Sequence, residues 1–245
     1  MSSESHPVSG APTTIPPQAY SAWRATRLGA TTEYLEQRLV LGMMGELSGT
    51  RVLDAGCGDG ALLCAAASRA AQATGLDPDP AMLRAARARA GAAGIEADFL
   101  EGRVENLPFP DASFDVVVSI TVLCFVPDAA LAVREMARVL RPGGRLVLGE
   151  LGRWNSWAAL RRVRGWLGSS TWRAARFRTG SELRELARQA GLSVISIRGA
   201  VYYPPMAVLA RAMAPLDHRL GGITTLGAAF IALCAVPDLR RMETE

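Results

Sequence analysis

Apolar and polar positions along this chain switch between two periods, and the switches predict the order of its elements. Residues 114–120, FDVVVSI, are a continuous β-branched run of the kind expected in a strand covered on both faces. Shorter runs at 52–53, 74–76, 97–100 and 145–150 predict four further strands. Helical spacing fills the gaps: 19–47 in two pieces broken near Gly29, an alanine-rich 61–73, 81–92 after the chain-breaking DPDP, and an amphipathic 129–140. The last of these must stop at RPGG, where proline and glycine forbid continuation. Such β-α alternation implies a parallel sheet with right-handed crossovers.

The last hundred residues change character. Residues 154–176, rich in tryptophan and arginine, are predicted helical, and 181–190 form a helix that Ser181 can cap and Gly191 can end. Two more strands are predicted at 192–197 and 228–236, separated by YYPP and a helix-like piece.

Composition narrows the class. Residues 1–18 are polar, rich in proline and serine, and lack the apolar centre of a secretion signal, so they read as a disordered leader before one domain at 19–245. The longest apolar run, 223–236, is too short to span a bilayer as a helix. Cys57, Cys64, Cys124 and Cys234 have no paired spacing for zinc or a disulfide framework, which fits a reducing cytoplasm. All 27 basic residues are arginine, and nine of them lie in 153–188 against only Glu182 and Glu185. That segment is either a solvated helical face or a patch for an anionic partner. No oligomeric state is specified by the pattern.

The stretch VLDAGCGDG at 52–60 joins a buried strand to a tight glycine turn and a helix, the layout of a nucleotide-type site. Residues 56–61 satisfy the dinucleotide spacing G-x-G-x-x-G/A, and Asp77 follows Gly58 by 19 residues, as a ribose-binding acid should. Both features suit NAD and S-adenosylmethionine alike. Asp54 separates them: a carboxylate two residues before the first glycine repels a pyrophosphate but not a ligand carrying an ammonium and a sulfonium.

VLDAGCGDG, GLDPDP, ENLPFPDASFDVVVS and LRPGGRLVLGE stand in order between residues 51 and 151. Through them the chain resembles the class I S-adenosylmethionine-dependent methyltransferases, of the small-molecule type related to quinone-ring methylation. YSAWRATRLG at 20–29 looks like the leading helix of such enzymes, and RFRTGSELRELARQAGL and TTLGAAFIALCAV look like their C-terminal part. The resemblance implies a doubly wound, Rossmann-like, seven-stranded and mostly parallel sheet. It implies a late antiparallel strand and a helical cap drawn from about 19–47, 152–180 and 202–222.

It also implies roles. The turn at Gly56, Cys57 and Gly58 would hold the methionine end of S-adenosylmethionine, with Asp54 shaping it and Asp77, followed by Pro78, accepting from the ribose hydroxyls. Val104 would meet the adenine through its backbone. The acid that relatives carry beside it is Arg103 here, which makes Glu105 a candidate structural partner. Ser119 would offer its carbonyl to the ligand's ammonium, and Tyr20 and Trp23 would close over the cofactor.

Methyl transfer from a sulfonium is an in-line displacement in which the protein chiefly aligns and desolvates. A base is needed where the acceptor must lose a proton. His218, in PLDHRLG, and Glu150, at the end of the fifth strand, are the candidates, His6 lying in the leader. Cys124 stands where relatives often carry a polar residue near the acceptor, and reads better as a buried cysteine. No N/D-P-P-Y/F sequence follows the fourth strand and no paired cysteines mark a pyrimidine methylase. The expected acceptor is therefore a small, partly apolar molecule under a roof at 154–178 and 202–220. Trp154, Trp157, Trp166 and Trp172 either line that pocket or pack the roof. Nucleic acid is disfavoured as a partner, although the arginine segment keeps RNA modification open. An NAD-type oxidoreductase and a non-catalytic S-adenosylmethionine-binding protein are the other readings.

Overall fold

The computed structural model describes residues 15–69 and 72–238. Two helices, α1 (Pro17–Ala25) and α2 (Arg27–Met44), precede the alternating part of the chain. That part runs β1 (Arg51–Ala55), α3 (Ala61–Ala67), β2 (Gln72–Asp77), α4 (Pro80–Ala92), β3 (Asp98–Glu101), β4 (Phe114–Ile120), α5 (Ala129–Val139) and β5 (Leu140–Leu151). The remainder is α6 (Ser156–Trp166), α7 (Ser170–Ala174), α8 (Gly180–Gln189), β6 (Leu192–Ala200), α9 (Ala207–Ile223) and β7 (Phe230–Pro237).

The seven strands form one sheet in the order β3-β2-β1-β4-β5-β7-β6. Pairs from β3 through β5 are parallel, and β7 inserts antiparallel between β5 and β6. This is the doubly wound sheet with one late antiparallel strand that the motifs imply. Strand order reverses between β1 and β4, and the crevice at the C-terminal ends of such strands is where open α/β sheets bind ligands.

Two-sided burial explains the β-branched runs. Along β4, Val116 and Val118 pack into a cluster with Leu35, Val40 and Met44 of α2 and Ala210 of α9. Val117, between them, faces the opposite cluster with Ala132, Val133 and Met136 of α5 and Leu183 of α8. All three valines are 3% exposed or less, so neither face of the strand tolerates a polar side chain. Helix starts are capped by local side chains: Asp79 accepts from the Ala81 N–H and Asp128 from the Leu131 N–H, each at 2.8 Å. No helix among the described residues is long and apolar enough to cross a membrane.

Several boundaries differ from the sequence expectation. The break in the first helical segment falls at Thr26, whose hydroxyl accepts from the Gly29 N–H, so Gly29 lies inside α2. The alanine-rich helix stops at Ala67 because the chain from Gln72 pairs with β1, starting at Arg51; tertiary pairing overrides alanine's helix preference. RPGG ends α5 as expected but lies inside β5. Thr179, not Ser181, caps α8, in a reciprocal box with Glu182. The expected leader overlaps α1 at Pro17 and Gln18, while residues 1–14, His6 among them, lie outside the described residues.

Candidate active site

β1 delivers the chain to the switch point, where a tight turn replaces the strand. The Gly56 and Cys57 N–H groups both donate to the Leu76 carbonyl, at 2.7 and 2.9 Å, which folds the turn across the end of β2. Gly56 has φ +91° and Gly58 φ +54°. A β-carbon on Gly56 would run into the Val122 side chain, whereas one on Gly58 would meet nothing within 4 Å. Gly56 therefore lets the segment after β4 approach, and Gly58 keeps the cavity side open.

Asp77, at the end of β2, fastens this turn. One carboxylate oxygen accepts the Gly58 N–H and the other the Asp79 N–H, both at 2.9 Å. Burial raises its pKa, and the two backbone donors oppose that. Each oxygen keeps a free lone pair for a ligand hydroxyl. Asp77 is not the cap of α4; Asp79 is.

A cavity of about 550 Å³ opens beside the turn, within the range of small-ligand sites. Its walls include Asp54, Gly56, Cys57, Gly58, Asp77 and Pro78, then Arg103, Val104 and Glu105 after β3. Tyr20 and Trp23 of α1 close one side, their ring centroids 5.9 Å apart. The expected cofactor residues are thus brought to one cavity, with the exception of Ser119. That side chain is fully buried and donates to the Ala55 carbonyl at 2.7 Å, tying β4 to β1. The cavity wall at this strand end is formed instead by Ile120, Thr121, Val122 and Phe125. Thr121 holds φ +54°, an uncommon conformation for a β-branched residue, and its N–H donates to the Gly149 carbonyl at 2.7 Å.

Electrostatics decide what the cavity accepts. Asp54 is 2% exposed and makes no hydrogen bond or ion pair to another described residue. Burial, then Asp77 and Asp59, push its pKa up to about 7. Both arginines of the wall are already engaged. Arg24 grips Asp59 with two nitrogens and reaches Glu33 at 2.7 Å; Arg103 donates to Glu105 at 3.1 Å. A pyrophosphate would meet carboxylates and paired cations. An ammonium and a sulfonium would relieve the unpaired Asp54, so these residues fit S-adenosylmethionine and not a dinucleotide. Arg103 points its charge at Glu105, which is therefore the structural partner expected.

Neither expected base reaches this cavity. Glu150 is fully buried beneath the segment after β4, where one oxygen accepts the Leu123 N–H at 2.8 Å and the other has no partner. Burial pushes its pKa up to about 7. His218 lies on the exposed face of α9, because its neighbour Asp217 turns inward to accept the Val201 and Tyr202 N–H groups. Cys124 is fully buried, its thiol donating to the Thr121 carbonyl. None of the four tryptophans of the roof lines the cavity. Trp157 donates to the Tyr203 carbonyl at 2.8 Å, and Trp154 and Trp166 are exposed.

Sequence reasoning missed the α1–α2 wall: Arg24, Glu33, Glu36 and Gln37 all line the cavity. The i, i+3, i+4, i+7 spacing of residues 33, 36, 37 and 40 was the available signal.

A profile described as a methyltransferase domain matches residues 53–148. The chain is 38% identical over 164 residues to the ubiquinone biosynthesis O-methyltransferase of Idiomarina loihiensis, covering 64% of this chain and 68% of that protein. To the protein of the same name from Xanthomonas euvesicatoria it is 35% identical over 178 residues, covering 70% and 72%. Among solved structures it is similar to a possible histamine N-methyltransferase of Thermotoga maritima, with TM-score 0.67, 22% identity and 89% and 94% coverage. It is also similar to magnesium protoporphyrin IX methyltransferase of Synechocystis PCC 6803, with TM-score 0.64, 18% identity and 91% and 95% coverage. Those structural likenesses establish the fold; the sequence relatives establish membership. The chain belongs to the class I S-adenosylmethionine-dependent methyltransferases, in the small-molecule group that includes the ubiquinone biosynthesis O-methyltransferases.

Proposed function

We propose that this enzyme methylates a hydroxyl oxygen of a small, partly apolar acceptor. One observation carries the reading. The cavity lined by the glycine turn is also lined by the apolar side chains of Val40, Ile120, Val122 and Phe125. Polar and apolar side chains lining one cavity suit a transfer between a polar cofactor and a partly apolar acceptor. The choice of oxygen is supported by the O-methyltransferase names of the sequence relatives.

In this reading Asp77 and the Gly56–Gly58 turn hold S-adenosylmethionine by its ribose and methionine ends, with Asp54 facing its positive charge and Val104 its adenine. The bound cofactor supplies an electrophilic methyl group on a good, neutral leaving group. Tyr20 and Trp23 exclude water, which strengthens every charge interaction inside. Val122, pressed against Gly56, keeps the acceptor wall in register with the turn. A cytoplasmic location is supported by the four buried, unpaired cysteines.

The test is calorimetric titration with S-adenosylhomocysteine and, separately, NADH, followed by a screen of phenols and amines with labelled methyl donor. Tight binding of the first ligand alone and label on a phenolic oxygen are expected. Label on an amine only would overturn the oxygen assignment.

A further inference from the structure

Seven carboxylates line the cavity: Glu33, Glu36, Asp54, Asp59, Asp77, Asp79 and Glu105. Five have partners within the protein. Glu33 pairs with Arg24, Asp59 with Arg24 and Arg89, and Glu105 with Arg103. Asp77 holds two backbone N–H groups and Asp79 caps α4. Asp54 and Glu36 are left without a hydrogen bond or ion pair to a described residue.

These two lie in different surroundings. The charges felt by Asp54 are Asp77 and Asp59, on the glycine-turn side. Those felt by Glu36 are Arg161 of α6, Glu33 of its own helix, Asp217 of α9 and Arg24 of α1. Tyr20 of α1 in turn feels Glu36. Glu36 lines the cavity from the α2 stripe between Thr32, whose hydroxyl bonds the Tyr203 hydroxyl, and Val40, which clusters with Trp157 and Ala210, so it stands on the part of the wall that the cap covers. Arg161 is held between the Trp157 and Trp172 rings, 5.4 and 4.9 Å from their centroids, so it is fixed in place without being bonded to Glu36.

We infer that Glu36 is the general base that takes the acceptor's hydroxyl proton, an assignment that rests on the oxygen-acceptor reading above. The acceptor O–H bond breaks and its proton passes to the Glu36 carboxylate. The oxygen lone pair forms the new O–C bond, while the sulfonium C–S bond breaks and leaves its electron pair on sulfur. No further reactant is needed. Burial pushes the Glu36 pKa up to about 7, with Arg161 pulling it down, which matches a base working near neutral pH.

The test compares wild type with Glu36→Gln and Glu36→Asp, using catechol, 3,4-dihydroxybenzoate and 4-nitrocatechol as probes and S-adenosylhomocysteine calorimetry as the second readout. Glu36→Gln should keep its S-adenosylhomocysteine affinity and lose about 10²- to 10⁴-fold in kcat on catechol. The loss should be much smaller on 4-nitrocatechol, which is already ionised near neutral pH, and should shrink for catechol as pH rises. Glu36→Asp should fall between. Equal losses on the weakly and strongly acidic phenols would mean a structural role and overturn the assignment. So would a folded Glu36→Gln that no longer binds S-adenosylhomocysteine, since that places Glu36 at the cofactor end. If wild type binds S-adenosylhomocysteine but methylates none of the phenols, the oxygen-acceptor reading itself fails and takes this assignment with it.

Discussion

Arg24 of α1 grips Asp59 of the glycine turn with both terminal nitrogens of its guanidinium, across 35 positions of sequence. Arg89 of α4 reaches the same carboxylate at 2.6 Å. Burial alone would raise the Asp59 pKa, but the two guanidiniums hold it below the usual carboxylate range. The pair is how a helix outside the sheet becomes one wall of the cofactor cavity, because Tyr20 and Trp23 ride on the same helix. Arg24→Ala should leave Asp59 bound by Arg89, so the fold survives while α1 loosens. A charge-assisted hydrogen bond is worth about 1.5–3 kcal/mol. The KM for S-adenosylmethionine should rise about 10-fold or more, and α1 should become the first site of limited proteolysis. Unchanged proteolysis and KM would show that α1 is held by other contacts.

Asp77 carries two loads at once. It anchors Gly58 and presents its remaining lone pairs to the cavity. Asp77→Ala should lower S-adenosylhomocysteine affinity at least 100-fold, measured by calorimetry, with the circular dichroism spectrum retained. Asp77→Asn keeps one oxygen acceptor and replaces the other with a donor facing the Gly58 or Asp79 N–H, so it should weaken binding comparably. Wild-type affinity in either variant would remove Asp77 from the site.

How much of this was legible depended on whether the chemistry is local. Glycines at 56 and 58 and an acid at 77 announce themselves because a tight turn and a strand end constrain residue type directly. Val116 to Val118 announced a central strand for the same reason. Glu150 does not reach the cavity because strand periodicity says which face a side chain takes but not which neighbour claims it. Glu150 went to the Leu123 N–H. Glu36 and Arg24 were missed because what they face, Arg161 of α6 and Asp59 of the glycine turn, is brought to them only by the folded chain.

Glu150 provides a test through pH. Its folded-state pKa is raised to about 7 by burial, well above the ordinary value for glutamate. In that window the native state holds a proton that the unfolded chain has released. The Glu150 contribution to native stability therefore falls as pH rises from about 4 towards 7 and levels off above the folded pKa. The size is on the order of 3 kcal/mol for this shift. Glu150→Gln removes the titration while keeping an oxygen for the Leu123 N–H. Its thermal midpoint should depend less on pH than that of wild type over this window, and should be the higher of the two above pH 7. A parallel pH dependence in both proteins would show that Glu150 titrates normally.

His218 and Asp217 are neighbours in sequence with opposite expectations. His218 lies on the exposed face of α9 and takes no part in the cavity wall. His218→Ala should leave kcat and KM within about twofold, inside the range of surface substitutions, which shift free energies by no more than about 0.5 kcal/mol. Asp217 is 2% exposed and its two oxygens accept the Val201 and Tyr202 N–H groups at 3.0 and 2.9 Å. Val201 has φ +63°, an unusual conformation for a β-branched residue, so this carboxylate holds the chain where β6 turns towards α9. Asp217→Ala would strand both donors in the interior at about 1–3 kcal/mol each. Its thermal midpoint should drop by several degrees, while Asp217→Asn, which retains one acceptor, should recover part of the loss. If His218→Ala abolished turnover while Asp217→Ala left the midpoint unchanged, α9 would have to turn its other face to the cavity during the reaction.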